Sequence, residues 1–182
     1  HGAMSITKSL TGLIGEMLVA EGRLDETALV GNLIPELQDS AFGDATVRQV
    51  LEMTTALDYS EDYADPEAEV WAFAAAGSPL PSPEGYDGPR SYYAFLQTVQ
   101  KLGAHGRTFG YKTVNADALG WLIARTTGQS VADILAERIW ARIGAERGRI
   151  QPGAYADLVF LNQQLTVQRT MVEGALVFDA QS

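Results

Sequence analysis

Apolar residues recur at helical spacing along most of this chain. Between Ser5 and Glu21, the residues Ile6, Leu10, Leu13, Ile14, Met17 and Leu18 fall on one broad stripe. This pattern predicts a helix that stops at Gly22. Gly12 and Gly15 lower its helix propensity but let a neighbour pack closely. A turn at Leu24-Asp25 leads into a short predicted helix over Thr27 to Leu33, ended by Pro35. Thr46 is a suitable N-cap for a helix over Val47 to Thr54. Leu57 to Asp65 is aromatic and acidic and reads as a loop, and Pro66 suits the first turn of a helix running to Ala76. Gly77 to Pro89 is rich in proline and glycine and reads as an ordered surface loop. Ser91 to Leu102 is again helical in pattern, with Tyr92, Phe95, Leu96 and Val99 on one face. After a loop from Gly103 to Lys112, Asn115 to Thr127 is predicted helical and stops at Gly128; Ser130 caps a further helix to Ile143, stopped by Gly144.

The period changes after Glu146. Pro152-Gly153 is a turn, and Ala156 to Leu161 and Leu165 to Val172 are strand-like. Glu173-Gly174 is a two-residue hairpin signal ahead of Ala175 to Phe178. The expected fold class is mainly α with a small C-terminal antiparallel β-hairpin or sheet. Three parts follow. Residues 1–4 read as a tag or junction remnant, 5–146 as a helical region, and 147–182 as a β tail, with the boundary in the composition shift at Arg147 to Gly153.

Composition narrows the function classes. With 182 residues, 46% hydrophobic and 20% charged, the chain can bury a core of useful size. Its formal charge of −10 disfavours a nucleic-acid partner. No apolar run approaches the roughly 20 residues of a membrane span, and no signal-peptide pattern opens the chain. The reading is therefore a soluble protein of undetermined compartment. The absence of cysteine excludes disulfides and thiolate metal sites, and His1 and His105 are too far apart in sequence to form a metal constellation. No cofactor is expected.

Candidate chemistry begins at Ser5-Ile6-Thr7-Lys8. The spacing sets Ser5 and Lys8 one helical turn apart on the same face. A serine hydroxyl is a weak nucleophile, and a neighbouring amine can take its proton once burial favours the neutral amine. Taken alone, the motif is weak and reads first as an N-cap serine with a solvated lysine. Tyr111 follows a glycine in a polar loop and is equally a half-buried aromatic with a wet hydroxyl. His105 reads as a structural or solvated loop histidine. Tyr59, Asp62, Tyr63 and Asp65 read as an acidic solvated loop, or as the lining of a substrate mouth.

Three segments in order strengthen one reading. Ser5-Ile6-Thr7-Lys8-Ser9-Leu10-Thr11-Gly12-Leu13 is similar to the nucleophile helix of class C beta-lactamase-like, penicillin-binding serine hydrolases, a group that includes esterases and 6-aminohexanoate-oligomer hydrolases. Ala45 to Thr55 resembles the short helix that follows in that family. Phe109 to Asn115 with Ala118-Leu119-Gly120-Trp121 resembles its second motif, where a tyrosine projects toward the nucleophile. The resemblance covers residues 5–146 and implies Ser5 as nucleophile, Lys8 as proton acceptor and Tyr111 as general acid/base in ester, amide or β-lactam hydrolysis through an acyl-serine intermediate. Position 113 is Thr where many members carry Asn, which leaves a site role for Asn115 open. The sequence lacks the third family motif and most of the family's sheet. Gly148 to Leu161 and Thr170 to Phe178 resemble the C-terminal strands of amidohydrolases such as N-acetylglucosamine-6-phosphate deacetylases. These expectations describe a fragment or chimera of a serine hydrolase with impaired or no activity. The alternatives are a non-catalytic folded chimera and an oligomerising interaction module. An uncovered apolar stripe on the first helix and open strand edges in the tail also predict a homo-oligomer, most simply a twofold dimer.

Overall fold

The computed structural model describes residues 4–78, 80, 85–142, 158–161, 167–172 and 175–179. They fall into two compact units, His1–Val131 and Ala132–Ser182. The anticipated remnant His1 to Ala3, part of the 77–89 loop, the Ile143-Gly144 helix stop, the junction near Arg147 and the Glu173-Gly174 turn lie outside the described residues.

In the first unit, helix α1 spans Ile6–Ala20. Thr11, Ile14, Gly15 and Leu18 form its buried face. The predicted stripe is therefore split: Ile14 and Leu18 are core, whereas Ile6 (66% exposed) and Leu13 (49%) face outward. Gly15 explains how α1 lies so close to its neighbours. A Cβ there would stand 2.9 Å from Leu51 Cδ2 and 3.2 Å from Leu119 Cδ1. No such crowding exists at Gly12, where a Cβ would meet nothing within 4 Å.

Helix α2 spans Val30–Leu33, and Pro35–Leu37 follows as a 3-10 turn. Pro35 thus opens a second helical turn instead of only ending the first. Helix α3, Val47–Leu51, begins with a reciprocal capping box: Thr46 accepts from the Gln49 N–H and Gln49 accepts from the Thr46 N–H. It ends in a Schellman-type turn. Thr54 N–H donates to Gln49 O and Met53 N–H to Val50 O, with Met53 held at φ 52° where glycine is usual.

Three sequence expectations give way here. Leu57–Asp58 forms strand β1 and pairs antiparallel with β2, Gln100–Lys101, where loop and helix were anticipated. Helix α5 covers only Tyr92–Leu96, capped by Ser91. The apolar spacing of Phe95, Leu96 and Val99 reports burial, which a helix followed by an extended strand satisfies as well as a longer helix does. Helix α4 spans Glu69–Ala76, so Pro66 sits in the preceding turn and not in the helix. Helix α6, Thr113–Thr127, packs on α1, α3 and α5 and ends at Gly128 in the left-handed conformation. Arg48 ties α1 and the α1–α2 turn to α3, 2.5 Å from Glu16 Oε1 and 2.6 Å from Glu26 Oε2.

Helix α7, Val131–Ile134, spans the division between the units. The second unit contains a wider π-type turn over Leu135–Trp140 and three antiparallel strands, β3 (Leu158–Leu161), β4 (Val167–Val172) and β5 (Ala175–Asp179), in the order β3-β4-β5. Val159 of β3 pairs with Thr170 of β4; between β4 and β5, Val172 pairs with Ala175 and Met171 with Leu176, and a one-residue shift between Thr170 and Met171 then sets Thr170 opposite Phe178. Among the described residues no helix is long and apolar enough to cross a membrane.

Candidate active site

Ser5 stands at the N-cap of α1 with helical backbone angles, and no side-chain cap engages its hydroxyl. The hydroxyl is therefore available, and Lys8 Nζ donates to Ser5 Oγ at 3.1 Å. Thr11 Oγ1 bonds back to the Thr7 carbonyl one turn on, so it serves the helix itself. Lys8 Nζ also lies 5.2 Å from the centroid of the Tyr111 ring. The lysine thus stands between the serine hydroxyl and the aromatic face, and the structure brings Ser5, Lys8 and Tyr111 together. Ser5 and Tyr111 are exposed, Tyr111 by 49%.

Tyr111 reaches this position through a loop stitched to the end of α3 and to β1. Leu102 N–H donates to Ala56 O, Gly106 N–H to Thr54 O and Gly110 N–H to Met53 O. The Schellman-type turn therefore presents two of the carbonyls that hold the loop. His105, with its side chain only 4% exposed, accepts from the Ala56 N–H at Nδ1, 2.9 Å away. Its Nε2 is then the protonated nitrogen and donates to Asp44 Oδ1 at 3.1 Å. Lys101 binds the same carboxylate and, with His105, holds the Asp44 pKa below the usual range. Lys112, next to Tyr111, turns away and donates to the Leu57 carbonyl; burial lowers its pKa against the pull of Asp58, Glu69 and Glu61. His105 is thus a structural anchor, one of the two roles its loop position allowed.

Asn115 is 1% exposed and accepts from Thr55 Oγ1 at 2.6 Å. It braces α6 against the segment after α3, and its Nδ2 has no partner. The acidic loop divides similarly. Tyr59 is buried edge-on against Phe73 and Phe95. Burial, with the charge of Glu61 next, pushes its phenol well above the ordinary range. Tyr63 and Trp71 form an exposed edge-to-face pair, and Asp62 and Asp65 accept from backbone N–H groups of their own turns. Glu61 accepts from the Thr113 N–H, where α6 exposes unpaired donors.

A cavity of about 420 Å³ opens beside Lys8 and takes in Thr7 and Thr11 of α1, Phe73 of α4, Tyr92 of α5 and Thr113 and Asp117 of α6; Ser5 itself is not among the residues that line it. Sequence reading had not singled out Asp117. Burial raises its carboxyl to about 6; the Lys8 charge opposes that rise and Glu61 adds to it. The available signal was an acidic residue inside the apolar stretch Val114 to Leu122 of a predicted helix.

Comparison with known proteins gives the family. The chain is 36% identical over 147 residues to the 6-aminohexanoate-dimer hydrolase of Paenarthrobacter ureafaciens, a match that covers 81% of this chain and 37% of that protein. The chain therefore spans little more than a third of the length of this relative. A structure titled as a putative 6-aminohexanoate-dimer hydrolase from Bacillus anthracis superposes with a TM-score of 0.71 at 34% identity, covering 79% of this chain and 38% of that one. A class C beta-lactamase mutant shares the fold with a TM-score of 0.56 at 18% identity, covering 94% of this chain and 44% of that one. The family model described as Beta-lactamase matches residues 1–158, and the chain belongs to that family.

Proposed function

We propose that this chain carries the nucleophile half of an ester- or amide-hydrolysing site that works through an acyl-Ser5 intermediate. The observation that carries the reading is the 3.1 Å contact between Lys8 Nζ and Ser5 Oγ. In this scheme Lys8 in its neutral form takes the Ser5 proton as Oγ attacks the acyl carbon. Tyr111 passes a proton to the leaving group and later activates the water that releases the acyl group. What supports the Tyr111 role is its ring, 5.2 Å from Lys8 Nζ, a contact of the aromatic face and not of the hydroxyl. The name of the relatives points to the amide of a 6-aminohexanoate dimer as the substrate type. Activity of this chain by itself is low in this reading, because the oxyanion donors are not identified among the described residues. Loss of a single oxyanion donor costs roughly 10²–10³ in rate.

Covalent labelling by a fluorophosphonate tests the reading. The expected result is stoichiometric modification at Ser5, abolished by Ser5→Ala and slowed by Lys8→Ala. No labelling of the wild-type chain, or labelling unchanged in Ser5→Ala, refutes it.

A second reading concerns assembly. Ile6 and Leu13 on the outer face of α1 support a homo-oligomer, most simply a dimer, through that face. Light scattering tests it: a dimer at micromolar concentration that becomes monomeric in Leu13→Glu is expected, and a wild-type monomer overturns it. The tail's heritage, whether borrowed from an amidohydrolase or not, bears on neither test.

A further inference from the structure

One half-buried acid shares the cavity beside Lys8 without a place in the scheme above. Asp117 sits in the second turn of α6, largely shielded, and lines that cavity together with Lys8 and Thr113. No direct ion pair joins Asp117 to Lys8, whose hydrogen bond goes to Ser5 Oγ. The groups that face Asp117 come from three other segments. Lys8 lies on α1, Glu61 and Tyr59 lie between β1 and α4, and Tyr93 lies on α5, with the Tyr92 ring on the cavity wall. Lys8 is the cation among them, and it is also the group that holds the serine.

We propose that Asp117 is a positioning residue for Lys8: its carboxylate, set across the cavity, competes with Ser5 Oγ for the Lys8 amine and so sets how Lys8 is shared between the two. The inference rests on the acyl-serine reading for its functional meaning, but the coupling itself is a property of the two side chains. With Asp117 ionised, its negative charge draws the Lys8 amine toward the carboxylate and away from Ser5 Oγ. With Asp117 neutral, that counter-charge is gone. Burial places the change within an accessible range, since the carboxyl is raised to about 6. The Lys8 charge opposes the rise of the Asp117 carboxyl, which is the sign of an attraction between the two side chains.

Two measurements on the full chain test this. The first follows the Lys8 13Cε and 1Hε resonances by NMR between pH 4 and 8. The expected result is a step near pH 6, absent in Asp117→Asn and retained in Asp117→Glu, which keeps the charge. Asparagine keeps the shape and polarity of the site, so a purely structural role would leave the step in place. A flat Lys8 profile in the wild type, or the same step in Asp117→Asn, overturns the proposal. The second follows the fluorophosphonate labelling rate of Ser5 over the same range. The expected result is faster labelling of Asp117→Asn than of the wild type at pH 7.5, by several-fold, and convergence of the two near pH 4.5. Equal rates at pH 7.5 also overturn the proposal. The two readings fail separately. A Lys8 step without any Ser5 labelling removes the hydrolase reading and leaves the coupling. Labelling without a Lys8 step removes the coupling and leaves the hydrolase.

Discussion

His105 supplies the sharpest test of how the Tyr111 loop is held. Its imidazole is 4% exposed, accepts from the Ala56 N–H at one end and donates to Asp44 at the other. The two ends differ in value. Asp44 is exposed and keeps Lys101 as a partner, so losing its histidine contact costs well under about 1 kcal/mol. The Ala56 N–H is partly buried, and removing its acceptor costs about 1–2 kcal/mol for the orphaned donor. Alanine also leaves a hole where a shielded ring had packed, which brings the expected loss for His105→Ala to about 2–4 kcal/mol. Asparagine separates the terms, because its Oδ1 reaches the place of the ring Nδ1 but not of Nε2. His105→Asn therefore retains the buried bond and is expected to be about 1–2 kcal/mol more stable than His105→Ala. Glutamine reaches the Asp44 end instead and is expected to behave like alanine. Urea denaturation followed by Trp71 and Trp121 fluorescence, in a Trp140→Phe background, reads the first unit alone. If alanine and asparagine fall within about 0.5 kcal/mol of each other, the buried acceptor is not what anchors this loop.

Three further outcomes follow from the same structure. Thr46→Ala breaks a reciprocal capping box on a five-residue helix and is expected to lose about 1 kcal/mol by the same denaturation measurement, with Thr46→Ser close to wild type. Gly15→Val places a branched side chain where even a Cβ stands 2.9 Å from Leu51 and is expected to lower stability by about 1–3 kcal/mol, whereas Gly12→Ala, in open space within α1, is expected to raise it by up to about 1 kcal/mol. Asp117→Asn tests the half-buried carboxyl through pH. With the folded carboxyl raised from 3.8 to about 6, the native state holds a proton that the unfolded chain has released between those values, so the wild type loses stability as pH rises through that window. The loss reaches about 3 kcal/mol and is complete above pH 6. Asp117→Asn is therefore expected to be the more stable protein at pH 8 and to match the wild type below pH 4. An equal gap at both pH values would assign the effect to packing.

The fold was legible wherever a signal is local. The periodicity and glycine stops of α1 and α6 mark both helices to within about two residues, and Thr46 announces α3. The misreadings share one cause. Leu57–Asp58 and Gln100–Lys101 are two-residue strands whose only reason to be extended is each other, far apart in the chain. Neither carries an alternating pattern of its own, and the apolar Phe95, Leu96 and Val99 lent the second a helical appearance. Pro66 shows the same limit: proline fits a first helical turn, but the Asx turns at Asp62 and Asp65 take up the chain and α4 starts only at Glu69.

The candidate site divides along the same line, and the division bears on how far a motif can be trusted. Ser5 and Lys8 meet because a helix places positions three apart on one face, so their contact needs nothing beyond α1. The same contact would form in any helix with this spacing, which is why the motif alone says little about chemistry. Tyr111 carries the discriminating information, and its position is entirely non-local. It depends on the carbonyls of Met53, Thr54 and Ala56, on the buried ring of His105, and on Lys112 turning back to Leu57. None of those bonds has a sequence pattern, and only the resemblance to a family put Tyr111 near the serine in advance. Asp117 shows the converse: a helical acid looks like a solvated charge until the packing of α1, α4 and α5 closes over it. A chain that kept Ser5 and Lys8 but loosened the loop from Gly103 to Lys112 would retain the motif and the 3.1 Å contact while losing the tyrosine. For this protein the anchors of that loop, and not the Ser-x-x-Lys spacing, are the better measure of whether the site is assembled.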